Sequence, residues 1–354
     1  MSAPPRIGFV GPMLGRNAGW VTTQGEVLAD LFRGERWHVR ETSTRPSRLG
    51  RMADTTWSIL RWRGEVDIVV LSVFSGPAFA MADWSSILTR LLRIPTVMVL
   101  HGGNLPAFAK SHPRWTRRVI GRAARVVAPS QFLAAGIGDR EAVVIPNVIK
   151  IDDVAHRRRD HVAPLLLWMR TFHPIYNPVM AVRAFERVQE VQPDARLTMA
   201  GQEKGLLTLV QEEVEARGLG LQVEFAGFLD AQGKADAFES HDIYVHTNNV
   251  DNMPVSMIEA AAAGMVIVAT RVGGIPLMLD HEVSALLVDA DDDEAMAKAI
   301  LRLTRDPGLA SRLSQAARSL AEDSAWPSVQ RRWVDLFDQV LAAATGRTAG
   351  QEPR

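Results

Sequence analysis

Residues 243–276, IYVHTNNVDNMPVSMIEAAAAGMVIVATRVGGIP, read as strand, polar loop, short helix, strand and glycine turn. Ile243–Thr247 alternates like a buried strand, and Asn248–Asn252 cannot extend it. Asn252 is placed to cap, Pro254 to open the helix, and Ala260–Ala263 to continue it until Gly264 stops it. Met265–Thr270 forms the second strand, closed by Gly273-Gly274. A helix entered from the carboxyl end of a parallel strand turns free N–H groups and a positive dipole end toward an anion. Two carboxylates frame that entrance, Asp251 at its mouth and Glu259 about one turn inside, eight positions apart. Backbone amides for phosphate and carboxylates for hydroxyls are what a nucleotide sugar needs.

The same alternation runs outward in both directions. Strands are expected at Ile7–Val10, Val39–Thr42, Ile68–Val73, Thr96–Leu100, Val126–Ala128 and Val143–Ile145, with helices at Ala18–Phe32, Asp83–Leu92, Trp115–Ala123 and Gln131–Ala135. A charged, aperiodic stretch, VIPNVIKIDDVAHRRRDHVAP (144–164), reads as a linker. The pattern then resumes with strands at Pro164–Met169, Arg196–Ala200, Val223–Ala226 and Ala285–Val288. Helices alternate with them at Pro178–Gln189, Leu206–Arg217, Ala231–Glu239 and Asp293–Arg305. The expected fold class is α/β, with two Rossmann-like, doubly wound domains at 1–150 and 160–325. The tail Trp326–Ala344 carries a helical stripe of Val329, Trp333, Leu336, Phe337 and Val340. It either caps its own domain or, over 326–345, packs back on the first.

With 354 residues, 47% hydrophobic and 23% charged, the chain has ample material for two cores. It has no cysteine, which removes disulfide and zinc–thiolate chemistry. The start MSAPPRIGFVG shows no signal-peptide core, and no apolar run approaches the ~18 residues of a spanning helix, so a cytoplasmic location is expected. Residues 1–150 hold 20 Lys/Arg against 10 Asp/Glu, and the remainder holds the reverse excess, 20 against 30. Six of the nine tryptophans fall in that basic half. The stretches at 48–65 and 110–125 mix arginine with tryptophan, isoleucine and leucine. Either they are solvated helix faces with tryptophans packed inward, or they offer peripheral contact to the inner face of a membrane. No nucleic-acid recognition motif accompanies them.

The segment D-x7-E, EAAAAG, VIVAT, GGIP resembles the donor-site signature of the retaining glycosyltransferases of family 4, whose fold is GT-B. Its first carboxylate is aspartate where the family usually has glutamate. TVMVLHGGNLP resembles the family's H-G strand end, VVAPS (126–130) its V-x-x-S step and VIPNV its I-P-N step. The resemblance implies two facing lobes with an interdomain cleft and a UDP- or GDP-sugar as substrate, with no cofactor; no metal is expected, since no His/Asp/Glu arrangement has metal-ligand spacing. Its implied acceptor is a lipid-linked or saccharide hydroxyl, in cell-envelope or exopolysaccharide synthesis. By the same analogy Arg170, ending LLLWMR, would bind the diphosphate and Glu259 the ribose. Asp251 would hold the sugar hydroxyls, and Asn252, Met253, Pro254, Val255 and Ser256 would complete the donor site. His101 would face the sugar, with Gly102, Gly103 and Asn104 on the acceptor side.

The glycine turn IGFVGPMLGRNAG lacks G-x-G-x-x-G, which argues against a dinucleotide-dependent dehydrogenase. Gly15 and Gly19 either shape a tight turn or let backbone approach the donor. The family's lysine after its arginine is missing: RTFHPIYNP puts Tyr176-Asn177 there. Lys204 in AGQEKG either replaces that cation or is a solvated loop lysine. DADDDE (289–294) contains D-x-D but reads as a capping cluster before a helix. Two other readings remain: a GT-B nucleotide-sugar epimerase, and a non-catalytic partner subunit.

Overall fold

The computed structural model describes residues 4–17, 19–138 and 141–346. Two parallel six-stranded sheets form, each in its own compact unit. Unit 1 comprises 1–148 with 326–354, and unit 2 comprises 149–325.

In unit 1 the elements run β1 (Ile7–Val10), α1 (Gln24–Gly34), β2 (Val39–Thr42), α2 (Arg48–Arg61), β3 (Ile68–Val73) and α3 (Phe79–Leu91). Then come β4 (Thr96–Leu100), α4 (Leu105–Ser111), α5 (Pro113–Ile120), β5 (Arg125–Ala128), α6 (Gln131–Gly136) and β6 (Val143–Val144). The strand order is β2-β1-β3-β4-β5-β6. Nearly continuous burial along β1, β3 and β4 reflects a sheet covered on both faces. One face gathers Ile59 of α2 and Trp62 just after it, Phe79 and Leu88 of α3, and Leu105 and Val119.

In unit 2 the order is β7 (Leu165–Met169), α7 (Pro178–Val191), β8 (Arg196–Ala200), α8 (Leu207–Ala216), β9 (Val223–Gly227) and α9 (Ala231–Ser240). It continues with β10 (Ile243–His246), α10 (Val255–Ala262), β11 (Val266–Thr270), β12 (Leu286–Val288), α11 (Asp293–Arg305) and α12 (Pro307–Asp323). The sheet order is β12-β11-β10-β7-β8-β9. The chain builds outward from β7 in one direction and then returns to place β10 on its other side. Crossovers therefore diverge between β7 and β10, and the carboxyl ends of these two strands border the crevice where open α/β sheets bind ligands.

The final helix, α13 (Trp326–Thr345), belongs to unit 1. Its stripe of Val329, Trp333, Leu336, Phe337 and Val340 is buried with Ile7, Phe9 and Phe32 of β1 and α1. Phe32 makes an edge contact with Trp326 at 4.9 Å and a tilted one with Phe337 at 5.6 Å.

Four expectations need correction. Ala18 lies outside the described residues, and α1 begins only at Gln24, because Thr23 and Glu26 form a reciprocal capping box there. Helices α2, α4 and α12 were absent from the expected set. Pro254 is the N-cap of α10 rather than its first residue, and the N-cap position, which was expected at Asn252, makes no side-chain hydrogen bond. The charged stretch 144–164 is not a free linker: Arg159 is buried and fastened to unit 2 by Asp242 and by the carbonyls of Phe238, His241 and Ala263.

Candidate functional site

Arg170 leaves the end of β7 and Asp251 lies five residues beyond the end of β10. The sheet order brings these positions, 81 apart in sequence, into an ion pair. The guanidinium also lies over the Tyr176 ring, 4.4 Å from its centroid. Tyr176 thus occupies the stretch where a lysine was missing, and supplies a π face for Arg170.

Asp251 is buried, and both its oxygens are engaged. Oδ1 accepts from the Asn252 amide at 2.8 Å. Oδ2 accepts from Asn248 Nδ2 at 2.6 Å and from Arg170, and lies 3.2 Å from His246 Nε2. Burial alone would raise the carboxyl pKa, but the Arg170 charge and the His246 contact outweigh it and hold it below the usual range. The carboxylate therefore lies buried beside Arg170 rather than free at the mouth of the site. One methylene shorter than glutamate, this side chain stays inside and anchors Arg170. Arg170 Nε is buried without a partner among the described residues, which leaves donor capacity on the guanidinium.

The loop between β10 and α10 is fixed from several strand ends. Trp168 Nε1 donates to Thr247 Oγ1 at 2.9 Å, Thr247 Oγ1 donates to the Tyr176 carbonyl at 2.9 Å, and Thr270 Oγ1 donates to the Asn248 carbonyl at 2.6 Å. The Gly273-Gly274 turn presses on the loop from below: the Gly274 N–H donates to the Asp251 carbonyl at 3.0 Å. A Cβ at Gly273, whose φ is +53°, would lie 1.9 Å from that carbonyl oxygen. Gly273→Ala is expected to destabilise unit 2 by about 2 kcal/mol or more. A urea-unfolding midpoint equal to wild type would show that the turn yields.

Asn252, Met253 and Pro254 are buried, and Val255 and Ser256 open α10 at the crevice edge. The amides of Val255 and Ser256, in the first turn of α10, are among the donors a helix cannot satisfy internally. The Ser256 hydroxyl accepts from Tyr244 Oη at 2.7 Å. Glu259, one turn deeper, pairs with Lys234 of α9 at 2.6 Å. Lys204 is exposed in the loop after β8, which runs beside Phe172. In the DADDDE run, Asp292 caps α11 by accepting from the Ala295 amide, and Asp293 pairs with Arg187.

The remaining candidates belong to unit 1. His101 follows β4, and its N–H donates to the Val73 carbonyl at 2.9 Å. Its ring stacks on Phe74 at 4.8 Å, and its buried Nε2 has no partner among the described residues. Burial pushes its pKa down to about 4, so the ring is neutral at physiological pH. Gly102, with φ +82°, turns the chain into Gly103 and Asn104, which precede α4. Gly15 has a structural reason of its own: a Cβ there would meet Thr22 Cα at 2.5 Å. Gly19 takes a φ of +78°.

His101 sets a pH dependence whose sign is fixed. Its folded pKa of about 4 lies below the ordinary 6.5, so the unfolded chain binds the extra proton between these values. Its contribution to stability is complete above about pH 6.5 and is lost as pH falls toward about 4. His101→Gln should flatten that slope in unfolding experiments. An unchanged difference between wild type and variant across this window would refute it.

Sequence reading missed Lys234, His246, Asn248 and the use of Tyr176. His246 was the one with a signal, as an imidazole on a buried strand just ahead of an acidic residue.

Residues 152–320 match the family model described as "Glycosyl transferases group 1", and residues 21–153 match "Glycosyltransferase Family 4". The chain is 33% identical to the D-inositol 3-phosphate glycosyltransferase of Saccharomonospora viridis over 122 residues, 34% of this chain and 28% of that enzyme. It is 24% identical to the phosphatidyl-myo-inositol mannosyltransferase of Mycobacterium leprae over 298 residues, 81% of this chain and 78% of that one. The structure superposes on Anabaena Alr3699/HepE, solved in complex with UDP and glucose, with a TM-score of 0.76 at 15% identity, covering 95% of this chain and all of that one. That likeness establishes the fold as GT-B. Taken with the two models, which between them span residues 21–320, it follows that the chain belongs to glycosyltransferase family 4.

Proposed function

We propose that this protein transfers a sugar from a UDP- or GDP-sugar to a hydroxyl acceptor, with retention of anomeric configuration. The observation that carries the reading is the Arg170–Asp251 pair at the crevice between β7 and β10, beside the first turn of α10. The diphosphate is received by Arg170 and the amides of Val255 and Ser256, and the ribose hydroxyls by Glu259. Asp251 acts through Arg170, holding the guanidinium rigidly enough to meet charge as it builds on the leaving diphosphate. Three donors already engage its oxygens and the His246 ring lies against one of them, so it is not the nucleophile. Catalysis rests on stabilising the leaving group and excluding water from it. On unit 1, the neutral His101 with its unpaired Nε2 offers a hydrogen bond to a hydroxyl. The nucleotide sugar is substrate, and the chemistry requires no cofactor.

An acceptor that is lipid-linked or a saccharide, in envelope or exopolysaccharide synthesis, fits the relatives named above, one of which acts on a phosphatidylinositol. A cytoplasmic site of action goes with that reading, since cytoplasmic pools supply nucleotide sugars.

The test is thermal stabilisation of the purified protein by UDP- and GDP-sugars, followed by donor consumption with and without added acceptor. Stabilisation by one nucleotide class and acceptor-dependent consumption are expected. No stabilisation by any nucleotide would overturn the reading in favour of a non-catalytic partner. Epimerised donor without acceptor would replace transfer by epimerisation.

A further inference from the structure

Helix α2 carries two apolar faces where a surface helix ordinarily has one. The inward face is Thr55 and Ile59, continued by Trp62, and it joins the core of unit 1. The second consists of Leu49, Met52, Ala53, Thr56, Trp57 and Leu60, whose steps of three and four residues make a continuous stripe. This stripe points to solvent: Leu49 is 83% exposed, Trp57 67% and Leu60 48%. With Trp84 of α3 it lines an open groove of about 460 Å³. Of the two indoles in that groove, that of Trp84 is satisfied, since its Nε1 donates to Thr56 Oγ1 at 2.8 Å. Ile87 and Leu91 of α3 are exposed as well. Single exposed apolar residues are ordinary, but a six-residue stripe with a tryptophan at its centre is not.

The charges beside the stripe select its partner. Residues 45–63 contain five arginines and one acid, Asp54. Arg45, Arg48, Arg61 and Arg63 are exposed and have no carboxylate partner among the described residues. Elsewhere in unit 1, by contrast, Arg6, Arg16, Arg33, Arg40 and Arg122 are all in ion pairs. A second copy of this chain meeting the stripe symmetrically would set arginines against arginines. An anionic surface with an apolar interior answers both features.

We propose that α2 docks on an anionic lipid bilayer, with Leu49, Trp57 and Leu60 in the acyl boundary and the flanking arginines on headgroup phosphates. This is independent of the donor chemistry and locates contact on one helix. The stretch 110–125 is not part of the apolar contact. Trp115 packs edge-on against Phe79 at 4.9 Å and donates to Asp83 at 2.6 Å, which leaves Lys110, Arg114, Arg117, Arg118 and Arg125 as the stretch's exposed charged groups.

The experiment is co-sedimentation of the full chain with phosphatidylcholine vesicles and with vesicles that also contain phosphatidylglycerol. Wild type should bind the anionic vesicles preferentially, and more weakly as salt rises. The exposed-site variant Leu49→Ser/Trp57→Ser/Leu60→Ser should keep the wild-type melting temperature and nucleotide response and lose at least about tenfold in vesicle affinity. Arg48→Glu, Arg61→Glu and Arg63→Glu together should cost about fivefold or more for each charge changed. The proposal is overturned if wild type ignores both vesicle types, or if the serine variant binds as well as wild type. It is equally overturned if wild type self-associates in buffer and the serine variant abolishes that association instead.

Discussion

Arg170→Ala is expected to lower kcat for sugar transfer by about 10²–10³-fold and to destabilise the protein at the same time. The catalytic part follows from its position: it stands at the crevice between β7 and β10, with Nε unpaired and Nη2 held by Asp251. In the proposed reaction a rigid cation there would meet the diphosphate as negative charge accumulates on it, whereas water that replaces it must reorganise first. The stability part follows from Asp251, which is buried and would keep its negative charge without its strongest partner. Breaking such a pair costs on the order of 3 kcal/mol, the low end of the usual range because the Arg170 side chain is 18% exposed.

The two effects separate in further variants. Arg170→Ala/Asp251→Asn removes the stranded charge, so it should recover most of the stability and none of the activity. Arg170→Lys keeps a charge but loses the planar stack on Tyr176, so its kcat should fall between wild type and alanine. Steady-state kinetics with the stabilising nucleotide sugar and urea unfolding read both quantities. If Arg170→Ala turns over within a few fold of wild type, the diphosphate is met elsewhere, and Lys204 becomes the cation to test.

The periodic parts of this fold are visible in its sequence because parallel strands buried on both faces leave short apolar runs between glycine and proline punctuation. Strands such as Ile68–Val73 and Thr96–Leu100 therefore have the boundaries that their composition indicates. Helix α2 escapes because its two apolar stripes, one inward and one outward, blur the single-face period of an amphipathic helix. Helix α12 follows α11 with only Asp306 between them, and Pro307 reads as an end although it stands at the start of a new helix. The buried Arg159 hides in a run of three arginines, because its partner Asp242 is 83 residues away. The site shows the same division. Asp251, Glu259 and Arg170 are named by local pattern, but their partners are set by strand order, which no local pattern contains. An aspartate one methylene short reads as a weaker sugar-binding arm, and only the sheet order turns it into the anchor of Arg170.

Glu259→Ala should act on the Michaelis constant rather than on kcat, raising KM for the nucleotide sugar by about 10²-fold. Glu259 stands one turn inside α10, and in the proposed complex its hydrogen bonds to ribose hydroxyls, away from the bond that breaks, would be alike in ground and transition states. Two charge-assisted hydrogen bonds, at roughly 1.5 kcal/mol each, give that factor. The rival account is that Glu259 exists to hold Lys234, to which it is bonded at 2.6 Å. That pair is partly exposed, with side-chain accessibilities of 32% for Lys234 and 17% for Glu259, so it is worth no more than about 1 kcal/mol of stability. Lys234→Met then discriminates. If the ion pair were the purpose, Lys234→Met and Glu259→Ala would lose similar stability and leave KM alone. If the ribose is the purpose, Lys234→Met frees the carboxylate and shifts KM by only a few fold, while Glu259→Ala retains most of its stability and loses donor affinity. Opposite responses of KM and kcat in the Glu259 and Arg170 variants would also assign the two ends of the nucleotide to opposite ends of the crevice, since only the phosphate end feels charge develop.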